Sequence, residues 1–165
     1  MLQVNQLHGF GAARGGKRWW RLYITAGGGD EFLNIMEIEY KSGGVIVSPS
    51  NMTSENTPGG HVITESSAFS SSFKGHEAFD GTVDTATASS EWATADTSMP
   101  QWVLWRSPVH VEPDEIKIYN KDHGGGRGPE DFKVQYSRDG VNFTDAKSVT
   151  GETGWSGNEN RSYTW

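Results

Sequence analysis

Cysteine is absent from the 165 residues, which excludes disulfide cross-links and thiolate metal centres alike. No apolar run approaches the ~20 residues that a bilayer-crossing helix needs, so membrane insertion is not expected. The opening Met1-Leu2-Gln3-Val4-Asn5 lacks the basic start and apolar stretch of an export signal. Positive charge is scarce: 14 Lys and Arg against 21 Asp and Glu leave a formal net charge of −7. Tracking a phosphate backbone needs clustered Lys and Arg, so nucleic acid is not an expected partner. The one basic cluster, Arg14 to Arg21, is interleaved with Trp19 and Trp20 and reads as a polar strand start beside a core face. Helical periodicity is also missing, with no segment supporting a helix longer than two turns.

Signatures of catalysis are equally thin. The five His form no His-x-x-x-His pair, no Gly-x-Ser-x-Gly elbow occurs, and Gly124-Gly125-Gly126-Arg127-Gly128 lacks the Lys-Ser/Thr ending of a phosphate loop. Glu37 and Glu39 would share a strand face about 7 Å apart, near the carboxylate spacing of glycosidases. Solvated strand faces produce that pattern constantly, so the chain is read as a non-enzyme.

What the chain does have is aromatic residues, 12% of the total with seven Trp, and 21 Gly. Each large ring buries about 150–250 Å², enough to fill a thin sandwich core in one domain of this length. Strand signals recur between turn signals. Trp20, Leu22 and Ile24 alternate with Arg21, Tyr23 and Thr25, and Gly27-Gly28-Gly29-Asp30 breaks that strand. A second strand should carry Met36, Ile38 and Tyr40 on one face and Ile35, Glu37 and Glu39 on the other. Gln101 to Trp105 is apolar on both faces and should lie centrally. Phe132, Val134 and Tyr136 alternate most cleanly, Asp139-Gly140 makes a hairpin turn, and Val141 and Phe143 return. Arg161 to Trp165 ends the chain as a strand. Short antiparallel strands punctuated by turns indicate an all-β sandwich or jelly roll.

Ala78-Phe79-Asp80-Gly81 with Thr85, Pro100-Gln101-Trp102, and Pro129 through Gly140 with Phe143 together resemble the discoidin family, the coagulation-factor type C domains and related carbohydrate-binding modules. The resemblance covers about residues 61–165. Residues 18–40 resemble that family's closing strand pair, which ordinarily comes last and here comes first. The chain is therefore expected to be an antiparallel, galactose-binding-domain-like jelly-roll β-sandwich with permuted strand order. Residues 1–18 would form an arm or adaptor and residues 19–165 the sandwich. Its opening and terminal segments are expected side by side in one hydrogen-bonded sheet. This order, with Thr150 to Ser156, is similar to domains of tailed-phage and prophage virion proteins.

The resemblance implies a non-catalytic module that binds a cell-surface glycan, shown in many copies or as a homo-oligomer on a virion surface. Residues 1–18 would touch other virion proteins. The alternatives are a purely structural virion component (head decoration, head fibre or tail adaptor) and, behind it, a polysaccharide hydrolase. A structural calcium ion is implied on Glu37 with the Met36 carbonyl, Asp80, Thr82 and Thr85, hard oxygens of the kind that ion takes. Thr82 stands where the family usually has Asp or Asn. Alternatively, Asp80 accepts N–H bonds within its own turn. Sugar recognition needs aromatic faces and planar polar groups, and the loop candidates are Phe69, Phe73, His76, Trp92, His123, Arg127 and Trp155. Trp92 would replace the family's Trp two residues after Thr85, where Thr87 stands. Trp155 is read either as an exposed platform or as a core plug, and Arg127 either as a ligand contact or as the partner of Glu130 or Asp131.

Overall fold

A computed structural model of the chain describes residues 17–29, 31–83, 90–121 and 126–165. The expected arm lies almost wholly outside these residues, as do Thr85, Thr87 and His123. Ten strands follow in order: β1 (Lys17–Gly27), β2 (Asn34–Ser42), β3 (Val45–Ile46), β4 (Val62–Glu65), β5 (Trp92–Ala93), β6 (Gln101–Val111), β7 (Glu115–Asn120), β8 (Pro129–Ser137), β9 (Thr144–Val149) and β10 (Asn160–Thr164). One short 3-10 turn, Gly75–Phe79, packs against them. All the pairings between named strands are antiparallel: one sheet runs β4-β6-β1-β8-β9, and the other runs β10-β7-β2-β3 with β5 pairing β2. The expected all-β sandwich is what the chain forms.

Strand alternation explains the core. In β1 the residues Trp20, Leu22 and Ile24 are fully buried, while Arg21 and Tyr23 between them are half-buried. They meet Ile38, Tyr40, Ile116 and Ile118 of the opposite sheet, with Trp105, Phe132 and Val134 from their own. Trp20 anchors an aromatic spine, its ring 6.1 Å from Tyr40, 5.6 Å from Tyr136 and 6.0 Å from Trp165. Such ring pairs contribute about 0.5–1.5 kcal/mol each beyond their burial.

Three strand expectations are corrected. The opening and terminal segments do not share a sheet: β1 lies between β6 and β8, whereas β10 is the edge of the other sheet. They meet face to face across the core, where Trp20 stacks on Trp165. In β2, strict alternation fails because a bulge falls between Ile35 and Glu37. An extra residue shifts the side-chain phase, so Ile35 and Ile38 both enter the core. Third, the return strand begins at Thr144, and Val141 stays exposed in the turn. Asp139 organises that turn, its Oδ1 accepting the Val141 and Asn142 N–H groups at 2.9 and 2.8 Å. Gly140 does take the expected positive φ, +78°. The stretch from Gln101 is internal as expected, yet it alternates, with Trp102 and Leu104 half-buried.

Register defines two ends. Gly27 lies beside Pro129, Ile24 beside Gln101 and Ile35 beside Asn120. The loop residues 28–29, 31–33, 66–74, 94–100, 126–128 and 150–159 therefore gather at one pole, called the loop end below.

A candidate ligand-binding end of the sandwich

Backbone hydrogen bonds stitch these loops into one surface. The Asn34 N–H donates to the Arg127 carbonyl (3.0 Å), Phe69 N–H to the Ala93 carbonyl (2.8 Å), and Ala93 N–H to the Phe73 carbonyl (3.2 Å). Leu33 N–H donates to the Thr94 hydroxyl at 3.0 Å, and the Thr94 N–H returns to the Leu33 carbonyl. Side chains from three loops thereby converge. Phe32 lies 5.2 Å from Phe69, and Phe69 meets Phe73 edge-on at 5.8 Å. The Arg127 guanidinium sits 4.4 Å over Phe32 and pairs with Glu31. Phe69 is 55% exposed, so this aromatic trio is not a sealed satellite core. An open ring flanked by a guanidinium and a carboxylate can meet the C–H face of a sugar and bond its hydroxyls.

Beneath it, Asn34 is fully buried, and neither its amide nitrogen nor its oxygen has a partner among the described residues. A buried, unpaired polar group costs about 1–3 kcal/mol, so this pole is not arranged for maximal stability.

Of the expected ligand contacts, Phe69, Phe73 and Arg127 belong to this cluster. Arg127 pairs with Glu31, not with Glu130 or Asp131. Trp92 is corrected: it is 0% exposed, with its indole N–H on the Ser67 carbonyl at 2.9 Å, so it offers no face to ligand. Trp155 is a plug, 3% exposed, its N–H bonded to the Pro129 carbonyl at 2.9 Å and Arg161 lying 4.3 Å over its ring. The glycine at 128 is required for this: a Cβ there would stand 2.4 Å from the indole. His76 is 8% exposed and lines a separate depression of about 190 Å³ with Ser54, Glu55, Asn56 and Lys74. Burial lowers its pKa, and Glu77 Oε1 lies 3.1 Å from its Nε2. Phe32 was not anticipated; the signal available was an aromatic residue just after the Gly27-Gly28-Gly29 break. Asn34 carried no signal at all.

The residues expected around calcium do assemble in part. Glu37 Oε2 accepts the Gly81 N–H at 3.2 Å, Asp80 Oδ1 accepts the Thr82 N–H at 2.7 Å, and Ser90 donates its hydroxyl to Asp80 Oδ2. Asp80 thus does bond within its own turn. Gly81 has φ +80°, and a Cβ on it would lie 2.2 Å from the Ser50 carbonyl oxygen, so glycine is required at this approach. Glu37 is 1% exposed, and its Oε1 has no partner among the described residues. Burial first, then the nearby Asp80 and Glu39 charges, push its pKa up to about 9. Among the described residues no three His, Cys, Asp or Glu side chains gather as a metal site. Nor do Glu37 and Glu39 frame a cleft: Glu37 is sealed, and Glu39 pairs with Lys41 (3.1 Å) and accepts the Tyr119 hydroxyl (3.0 Å).

The family model of the F5/8 type C domain matches residues 62–165. No curated protein and no solved structure matches the chain.

Proposed function

The chain belongs to the F5/8 type C domain family, whose members are generally non-catalytic binding modules, and from that premise we propose that it binds a cell-surface glycan through its loop end. The observation that carries the reading is the open Phe32–Phe69–Phe73 cluster with Arg127 laid across Phe32 and Glu31 beside it. Phe69 supplies a face for sugar C–H groups. The guanidinium donates to ring or hydroxyl oxygens, and Glu31 accepts from hydroxyl hydrogens. Stacking on Phe32 and pairing with Glu31 fix the guanidinium before ligand arrives, which lowers the ordering cost of binding. The site is shallow, so one copy binds modestly and many copies together bind well.

We further read the module as part of a phage-like virion, displayed on the particle surface in several copies, with residues 1–18 contacting neighbouring virion proteins. The early position of β1 and β2, strands that complete both sheets, supports a permuted form of the family's sandwich.

Calcium belongs to the same proposal. Glu37 Oε1, buried without a partner among the described residues and close to Asp80, is a hard oxygen suited to that ion. Glu37 and Asp80 would hold it, with Thr82 contributing oxygen. When bound, the ion supplies positive charge that keeps the Glu37 carboxylate ionised beneath the loops.

A glycan array probed with the wild-type protein, Phe69→Ala and Arg127→Ala tests the binding site. Wild type should retain one class of surface glycan, and each variant should lose about tenfold in affinity (of order 1.4 kcal/mol) with its melting temperature nearly unchanged. Equal retention by all three would move the site elsewhere. No wild-type retention, with stable incorporation into particles, would favour the purely structural role.

A further inference from the structure

Below the loop end, the outward positions of the five-stranded sheet form a second surface. Three consecutive outward pairs of β1 and β6 are Trp19 with Arg106, Arg21 with Leu104, and Tyr23 with Trp102. All six are half-buried. Large rings on an outward strand face leave costly apolar area in water. Trp19 and Tyr23 each have a guanidinium beside them, as does Phe143. The Arg21 guanidinium lies 3.7 Å over Phe143 and 4.8 Å over Tyr23, and its Nε donates to Gln135 at 2.7 Å. Arg18 lies 5.9 Å over Trp19, with its Nε on the Ser107 carbonyl.

The charges on this face oppose those of the chain. The protein carries a formal −7, yet Arg18, Arg21 and Arg106 cluster around Trp19. Among the described residues none of the three forms an ion pair. The neighbouring Asp145 is already held by Lys133 at 2.7 Å and by Gln135. Arg18 and Arg21, each held by stacking and by an Nε bond, leave their terminal N–H groups available as forks, the geometry that matches a carboxylate, and Arg106 stands across the strand pair from Trp19.

We propose that this sheet face is a second binding surface, for an acidic polysaccharide. Sugar rings would lie on Trp102, Tyr23 and Trp19, and their carboxylates on Arg106, Arg21 and Arg18. Outward residues along one strand recur every ~7 Å, so the surface can follow a linear chain from ring to ring. A duplex nucleic acid fits less well: its phosphates need a longer basic track than this short strip on an acidic protein provides. The proposal does not rest on the loop-end site, which uses other residues.

Affinity electrophoresis through gels containing alginate, dextran or duplex DNA tests it on the full chain. Alginate, a polyuronate, should retard the wild-type protein, and neutral dextran should not. Arg106→Glu should weaken the alginate interaction by about tenfold or more, since it replaces attraction with repulsion. Phe69→Ala, at the loop end, should leave it unchanged. Arg106→Gln, a milder change on a surface side chain, should give an intermediate loss and serves if the charge reversal impairs folding. Failure of alginate to retard wild type, unchanged retardation of both Arg106 variants, or equal retardation by duplex DNA would each overturn the proposal.

Discussion

Glu37 and Gly128 show what single positions contribute. Burial disfavours the charged form of Glu37 and pushes its pKa up to about 9 in the fold, from an ordinary 4.5. Between those values the unfolded chain has lost the proton that the fold retains. Stability linked to this group is therefore complete below about pH 4.5 and declines as pH rises toward 9, by up to about 1.4 kcal/mol per unit. Melting temperatures taken from pH 5 to 9 in chelator should fall, and Glu37→Gln should remove this group's share of the decline. Calcium should restore stability most at the alkaline end; an identical pH profile with and without the ion would remove it from the account. At Gly128, the 2.4 Å approach of the Trp155 ring leaves no room for a methyl group. Gly128→Ala should cost about 1–3 kcal/mol by overpacking, measured by urea unfolding, and a neutral result would contradict the plug. Neither effect could be read from sequence, since each depends on a partner 27 or more positions away that periodicity does not identify.

Among the elements, β1 followed its alternation because it is paired on both sides and buries one face continuously; β8 did so through Val134, after which Gln135 and Ser137 are buried and Tyr136 is half-buried. β2 did not, because periodicity cannot announce a bulge: Ile35-Met36-Glu37-Ile38 contains no glycine or proline to mark it. The bulge makes a distinctive prediction. Ile35→Ala and Ile38→Ala should each cost about 2–5 kcal/mol in denaturant unfolding, as both side chains are 0% exposed in the core. Strict alternation would put Ile35 outside, and a cost below about 1 kcal/mol there would vindicate it. The aromatic cluster at the loop end is a loop-to-loop arrangement, which is why Phe69, Phe73 and Arg127 were recognisable singly while Phe32 was not. Trp155 was ambiguous and Trp92 was placed wrongly for the same reason: a tryptophan in a loop-rich stretch plugs the core or faces solvent according to partners that only the folded chain reveals.

The molecule as a whole depends on its first two strands. The family match begins at residue 62, yet β1 separates β6 from β8 in one sheet and β2 lies between β7 and β3 in the other. Removing residues 17–44 should therefore abolish cooperative folding. Moving those residues to follow Trp165 through a short linker should restore the same sandwich, because Trp165 already stacks on Trp20. Retention of the wild-type melting temperature to within a few degrees is the expected outcome. Failure of the rearranged chain to fold would count against a permuted origin. The central claim concerns where this sandwich meets its ligand, and amide chemical-shift mapping during titration with a glycan retained on the array tests it most directly. The account predicts saturable shifts confined to residues 31–34, 67–73 and 126–128. Shifts centred on the opposite pole, around residues 138–143, with those loops unmoved, would contradict it.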